Sequence, residues 1–157
     1  DAGIEVCGVD VVHTGSLAAV LTGGRRCSTV RGVDDSAMCA LSDRWWNEIW
    51  RDGNVDAADE LLTDPFVRHT SLGSMVSPRH EYKAMLAEIQ RTLCRPETTI
   101  DDRVVAGDRV WTRATSRGLN LETSETTVVT WMLVQRIVEN RIAEHWVLTV
   151  RGVDWTV

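Results

Sequence analysis

Two histidines, a few carboxylates and an unusual number of tryptophans are the residues of this chain with chemistry to offer. Imidazole titrates near neutrality, so His69 and His145 are candidate proton donors or acceptors at pH 7. Glu144 is the carboxylate next to the second of them. Seven tryptophans stand against a single tyrosine, Tyr82, and a single phenylalanine, Phe66. Indole supplies wide apolar area with one donor, a bias that fits a pocket for a bulky, fairly apolar ligand and equally fits core filling. Trp50, Trp111, Trp131 and Trp146 are candidates for lining such a pocket. Their faces could stabilise a developing cation by about 0.5–2 kcal/mol each. Arg113 and Arg117 share a strand face with Trp111. Turned inward, a guanidinium fork would hold a carboxylate or enolate oxygen; turned outward, it would serve an interface or solvent. Asp101 and Asp102 offer paired carboxylates, but beside a turn and next to Arg103 they read as a solvated face.

These side chains need elements to carry them. A helix is expected from Ser36 to about Asp52, with Met38, Leu41, Trp45 and Ile49 at helical spacing and Gly53 as the stop. A short helix, about Val55 to Leu62, follows, and Pro65 ends it. Ser77-Pro78 then opens a third helix with Tyr82, Met85, Leu86, Ile89 and Leu93 on one face. After Pro96 the texture changes to Val, Ile, Thr and Trp. Strands are expected at 98–105, 109–117, 126–137 and 141–150, separated by Ala106-Gly107-Asp108, Gly118-Leu119-Asn120 and Glu139-Asn140. With no helix between them they must pair as an antiparallel meander, which makes the domain α+β. Alternation puts Trp131, Leu133 and Gln135 on one face with His145, Val147 and Thr149, and turns Glu144, Trp146 and Leu148 the other way.

The 157 residues suit one domain with a core large enough to fold without disulfides or a metal. Apolar residues at 43% and charged residues at 25% exclude a disordered chain. A net charge of −6 without any basic run argues against nucleic acid and anionic membrane surfaces as partners. No stretch approaches the roughly 20 apolar residues of a membrane span, and Leu17 to Leu21 is too short for a leader. The chain begins at Asp1 rather than Met, which leaves a removed leader open. Cys7, Cys27, Cys39 and Cys94 have no metal-ligand spacing, and no glycine-rich phosphate loop follows a strand, so neither metal nor other cofactor is expected. Free thiols in a reducing cytoplasm are the default, with a Cys7–Cys27 bridge as the exception. Residues 1–35 read as an extension, with one candidate strand from Ile4 to Val12, preceding a domain of residues 36–157.

The segments "WWNEIWRDGNVDAADELLTDPFVRHTSLG" (45–73), "AGDRVWTRATSRG" (106–118) and "QRIVENRIAEHWVLTV" (135–150) resemble, in that order, the SnoaL-like polyketide cyclases of the nuclear transport factor 2-like superfamily. Limonene-epoxide hydrolases and ketosteroid isomerases are relatives. The resemblance spans roughly residues 37–150 and implies a cone-shaped half-barrel, a curved antiparallel sheet around about three helices with a central pocket. It also implies homodimers paired through the outer sheet face. An exposed apolar face built from Val104, Val110, Val128, Met132 and Val134 would fit such pairing. His69 falls where isomerase relatives place a pocket carboxylate base, and Trp46 falls near their pocket tyrosine. The aldol cyclases carry an acid/base aspartate two residues after the motif histidine, here Val147, and a partner histidine where this chain has Leu133. Their mechanism in its known form is therefore closed to this chain.

The expected function is ring closure of a polyketide-type intermediate in bacterial secondary metabolism, the chemistry of antibiotic biosynthesis. The enzyme would be of isomerase or lyase type and act without a cofactor. Catalysis would rest on folding the substrate in a Trp-lined pocket with help from His69, His145 and Glu144. Proximity alone contributes about 7–11 kcal/mol in well-oriented cases. The alternatives are an epoxide-opening enzyme and a binding or accessory protein without catalysis.

Overall fold

The computed structural model describes residues 28–30 and 35–156. The expected first strand, the Leu17–Leu21 run, Cys7 and Cys27 lie outside the described residues. Seven strands form one sheet: β1 Ser28–Val30, β2 Leu62–Thr70, β3 Gly73–Ser77, β4 Cys94–Ala106, β5 Arg109–Asn120, β6 Glu125–Val138 and β7 Arg141–Arg151, in the order β1-β4-β5-β6-β7-β2-β3. Strands β4 to β7 are the antiparallel meander required by their short turns. β1 joins one side in parallel with β4, and β2 joins the other in parallel with β7. The sheet curves as a cone around helices α1 (Asp35–Arg44), α2 (Ala58–Leu61) and α3 (Arg79–Thr92).

α1 runs straight into a wider π-helical segment, Trp45–Arg51. Its register shows where the Asp52 N–H reaches back five residues to the Asn47 carbonyl at 2.9 Å. The wider turn brings Trp45, Trp46, Ile49 and Trp50 all to the inner side, where each is buried. The buried Gln90 of α3 donates its Nε2 to the Ile49 carbonyl at 2.6 Å and so ties the segment to the third helix. The core between helices and sheet then closes around these indoles, Phe66, Tyr82, Leu86, Leu93, Trp131 and Leu133.

Residues 62–77, read from sequence as a helix end and a loop, form the β2–β3 hairpin instead. Pro65 within β2 masks a strand, and β3 leaves Gly73 to Val76 exposed, so no alternation marks it. The outer sheet face exposes Val104, Trp111, Met132 and Leu148. Val110 does not belong to it: opposite Gln135, it faces inward and is fully buried. Cys39 and Cys94 each stand in a disulfide rather than as a free thiol, which corrects the expectation for these two. Among the described residues no helix is long and apolar enough to cross a membrane.

Candidate functional site

The register of β2 on β7 sorts the candidate residues onto two faces. Arg68 lies opposite His145, and His69 lies opposite Trp146. Because side chains alternate, Arg68 and His145 turn into the cone while His69 turns out with Glu144 and Trp146. The two histidines therefore sit on opposite sides of the sheet. Sequence reasoning chose His69 of the "FVRH" run for the interior and passed over its neighbour. Arg68 became visible only once this run was known to be a strand.

Inside the cone, Trp45, Trp46, Trp50, Arg68, Tyr82, Trp131, Leu133, His145 and Val147 surround a void of about 10 Å3. That space holds about one water at most. Trp131 and His145 share this cavity, as the alternation required. Gln135 sits behind His145 and donates its Nε2 to the imidazole Nε2 at 3.0 Å. In this orientation the ring proton sits on Nδ1. Edge-on contacts from Trp45 (4.7 Å) and Phe66 (5.0 Å) fix the ring. Burial pushes the His145 pKa down to about 3, and the Arg68 guanidinium acts in the same direction. His145 is thus neutral across the physiological range and a poor proton acceptor. Burial likewise raises the Tyr82 phenol above its ordinary value, against the pull of Arg68, so Tyr82 is a neutral donor.

The polar accounting of this interior is incomplete. Trp131 gives its Nε1 proton to Ser116 Oγ at 2.9 Å. The Nε1 groups of Trp46 and Trp50 and the Oε1 of Gln135 are buried with no partner. Arg68 has no ion-pair or hydrogen-bond partner for its guanidinium among the described residues. Each buried unpaired group costs about 1–3 kcal/mol, whereas the half-buried Arg68 keeps contact with solvent. Arg68, Tyr82, Trp46 and Trp50 line one small space with no carboxylate among them. That constellation suits a negatively charged oxygen.

The outer face is a second assembly. The His69 Nε2 lies 2.6 Å from Glu144 Oε1, its Nδ1 lies 2.6 Å from Ser74 Oγ, and Arg136 Nε donates to Glu144 Oε2 at 2.7 Å. Burial raises the Glu144 carboxyl, but hydrogen bonds from His69 and Arg136 more than offset it and hold the group below its ordinary pKa. The His69 ring stacks on Trp146 at 5.0 Å and 13°, and Arg109 covers Trp146 at 5.4 Å. Trp111, Arg113 and Trp146 face this side, away from Trp46, Trp50 and Trp131. Arg113 is occupied there by Asp102 at 2.6 Å and Asp101 at 3.3 Å, so the paired aspartates form ion pairs rather than an acid/base couple. Arg117 pairs with Asp154 of the C-terminal tail. Among the described residues no group of three or more His, Cys, Asp or Glu side chains could hold a metal ion.

Comparison with known proteins agrees with this architecture. The SnoaL-like domain family matches residues 43–145. A candidate polyketide cyclase from Acidithiobacillus ferrooxidans is 17% identical with a TM-score of 0.67, over 75% of this chain and 91% of that one. A candidate SnoaL-like polyketide cyclase from Jannaschia sp. CCS1 is 19% identical with a TM-score of 0.66, over 76% and 90%. A limonene-epoxide-hydrolase-like (LEH-like) epoxide hydrolase of M. tuberculosis is 15% identical with a TM-score of 0.61, over 73% and 84%. At these identities the likeness establishes the fold alone. No curated protein matches the chain in sequence.

Proposed function

Because the chain belongs to the SnoaL-like domain family, we propose that it is a cyclase-type enzyme that closes a ring in a carbonyl-rich, polyketide-type substrate by holding an enolate oxygen inside the cone. The observation that carries this reading is that Trp46 and Trp50, whose Nε1 groups have no partner, line one space with Arg68 and His145. An enolate oxygen would satisfy them together. A methylene between two carbonyls is acidic already, so a site that stabilises its anion promotes carbon–carbon bond formation without a strong base. The methylene gives its proton to water, the carbanion attacks a second carbonyl, the new alkoxide takes a proton from Tyr82, and the tyrosinate regains one from the hydronium so formed. No cofactor enters this sequence of steps.

Entry requires the indoles to turn aside, because the void at rest is about 10 Å3. Losing Trp46 and Trp50 contacts with Trp131 costs about 0.5–1.5 kcal/mol each. Pairing each orphaned N–H recovers about 1–3 kcal/mol. The exchange is favourable or near neutral, so a closed resting cavity is compatible with binding. Epoxide opening by water fits less well. The cavity lining offers no carboxylate, and an imidazole with a pKa of about 3 does not activate water.

Within the same reading, residues 36–157 are the catalytic domain, residues 1–35 an extension of it, and two copies pair through the outer sheet face. A setting in bacterial secondary metabolism goes with the substrate class. The disulfide-bonded Cys39 and Cys94 suit an oxidising compartment better than the reducing cytoplasm expected from sequence. The test is cyclisation of a linear tri- or tetraketide thioester by the full chain. Arg68→Met is expected to lower kcat by about 10²–10³, the usual cost of removing an oxyanion donor. Unchanged kcat in a folded Arg68→Met protein would refute the reading.

A further inference from the structure

We propose that the inner face of the sheet carries a carboxylate-binding site built from Arg103 of β4 and Thr112 of β5, where α1 packs over them. The two are register partners, so their side chains share a face. Thr112 is in turn the partner of Leu133, which lines the interior void, and that places the pair on the inner side. The Arg103 side chain is only 9% exposed. Its Nη1 donates to Asp43 Oδ1 at 2.6 Å, which fixes the guanidinium against α1. Its Nε and Nη2 are buried with no partner, and so is Thr112 Oγ1.

The unpartnered pair is one particular edge of the guanidinium. The Nε and Nη2 protons run parallel, and their spacing matches the two oxygens of a single carboxylate. The molecule uses this edge twice elsewhere. Arg44 holds Glu48 with Nε at 2.6 Å and Nη2 at 3.1 Å, and Arg51 holds Asp52 with the same two atoms at 2.8 and 3.2 Å. On Arg103 the edge meets no acceptor among the described residues, and a charged donor kept from water in this way is costly. Asp43 does not serve it: that carboxylate is half exposed and takes only Nη1. Thr112 brings a hydroxyl from the neighbouring strand. Ser42, the residue before Asp43 on α1, is fully buried with an unpartnered hydroxyl of its own.

The ligand class that follows is a monocarboxylate on an apolar body. Asp43 already balances part of the guanidinium charge, so a single negative charge suits the edge better than a phosphate dianion. The surroundings supply the apolar part. Leu133 lies beside Thr112 in the sheet, and two residues along the same strands Val105 and Val110 pack with Met38 in a buried cluster. The site uses neither Arg68 nor the indole donors, so it stands or falls apart from the enolate reading.

The experiment is calorimetric titration of the full chain at pH 7 with 2-naphthoate and with 2-naphthamide, its neutral counterpart of the same shape. Wild-type protein is expected to prefer the carboxylate by about tenfold or more, the scale of hydrogen bonds to a charged group. Arg103→Met should abolish that preference. Arg103→Lys keeps the charge without the fork and should lose most of it. Thr112→Val should weaken naphthoate by about threefold, and Arg68→Met should leave the preference intact. Urea unfolding shows which variants are folded, and the two gentler ones, Arg103→Lys and Thr112→Val, carry the test if Arg103→Met is not. Equal affinity of the wild type for both probes, or no naphthoate binding at millimolar concentration, would overturn the proposal. A preference unchanged in folded Arg103→Met or Arg103→Lys would do the same. So would its loss in Arg68→Met, since the carboxylate would then sit at the other cation.

Discussion

At the scale of single residues, the account turns on which proton each imidazole carries. His145 is buried and neutral, with a folded pKa of about 3 against an ordinary 6.5. Between those values the unfolded chain binds the proton and the folded chain does not. Stability contributed by this group is therefore complete above about pH 6.5 and is lost as pH falls toward 3. From pH 7 to pH 4.5 the loss is roughly 2–3 kcal/mol. Other acid-sensitive groups, Glu144 among them, add to the wild-type slope. A His145→Phe variant isolates the term. Its urea stability should fall less between pH 7 and 4.5 than that of wild type by about that amount. Parallel curves would mean that His145 is protonated in the fold and paired differently.

The element scale shows how much was legible in the sequence. Helix α1 with its π-helical continuation, α3 and the four-strand meander all stand where periodicity put them, because each carries a clear repeat of its own. The alternation along β6 and β7 also gave the inward set of Trp131, Gln135 and His145 correctly. β2 was hidden, since its burial pattern mixes classes and its pairing with β7 slips in register between Leu62 and Val67. With β2 unseen, the parity of Arg68 and His69 could not be read, and the interior cation was missed. Nor does a helical repeat announce a π-helical turn. The three indoles Trp45, Trp46 and Trp50 share one side only because that segment is wide. Gln90 is the side chain that secures it. Gln90→Leu leaves the buried Ile49 carbonyl without its side-chain donor, and a loss of about 1–3 kcal/mol is expected in chemical denaturation. The intrinsic Trp fluorescence should shift with it, because the indoles ride on the same segment. A variant as stable as wild type would show that the π-helical segment holds itself.

For the whole molecule, the outer face is where one copy meets another in this account. Val104, Trp111, Met132 and Leu148 form an exposed apolar patch on it, the kind of surface that marks an interface. Light scattering at micromolar concentration should give about twice the 17.5 kDa chain mass, falling to one chain mass in a Trp111→Glu, Met132→Glu variant. A wild-type monomer would contradict pairing through this face.

The central claim is that the interior holds a negatively charged oxygen. The most direct measurement is the ionisation state of a bound hydroxynaphthalene, read from its absorption and emission while the Trp signal reports occupancy. Wild-type protein at a pH below the free naphthol pKa should bind it as the naphtholate, with Trp quenching. Arg68→Met should bind it at least about tenfold more weakly, in the neutral form. A naphthol that stays neutral on the wild-type protein, or binds equally well without Arg68, would contradict the account.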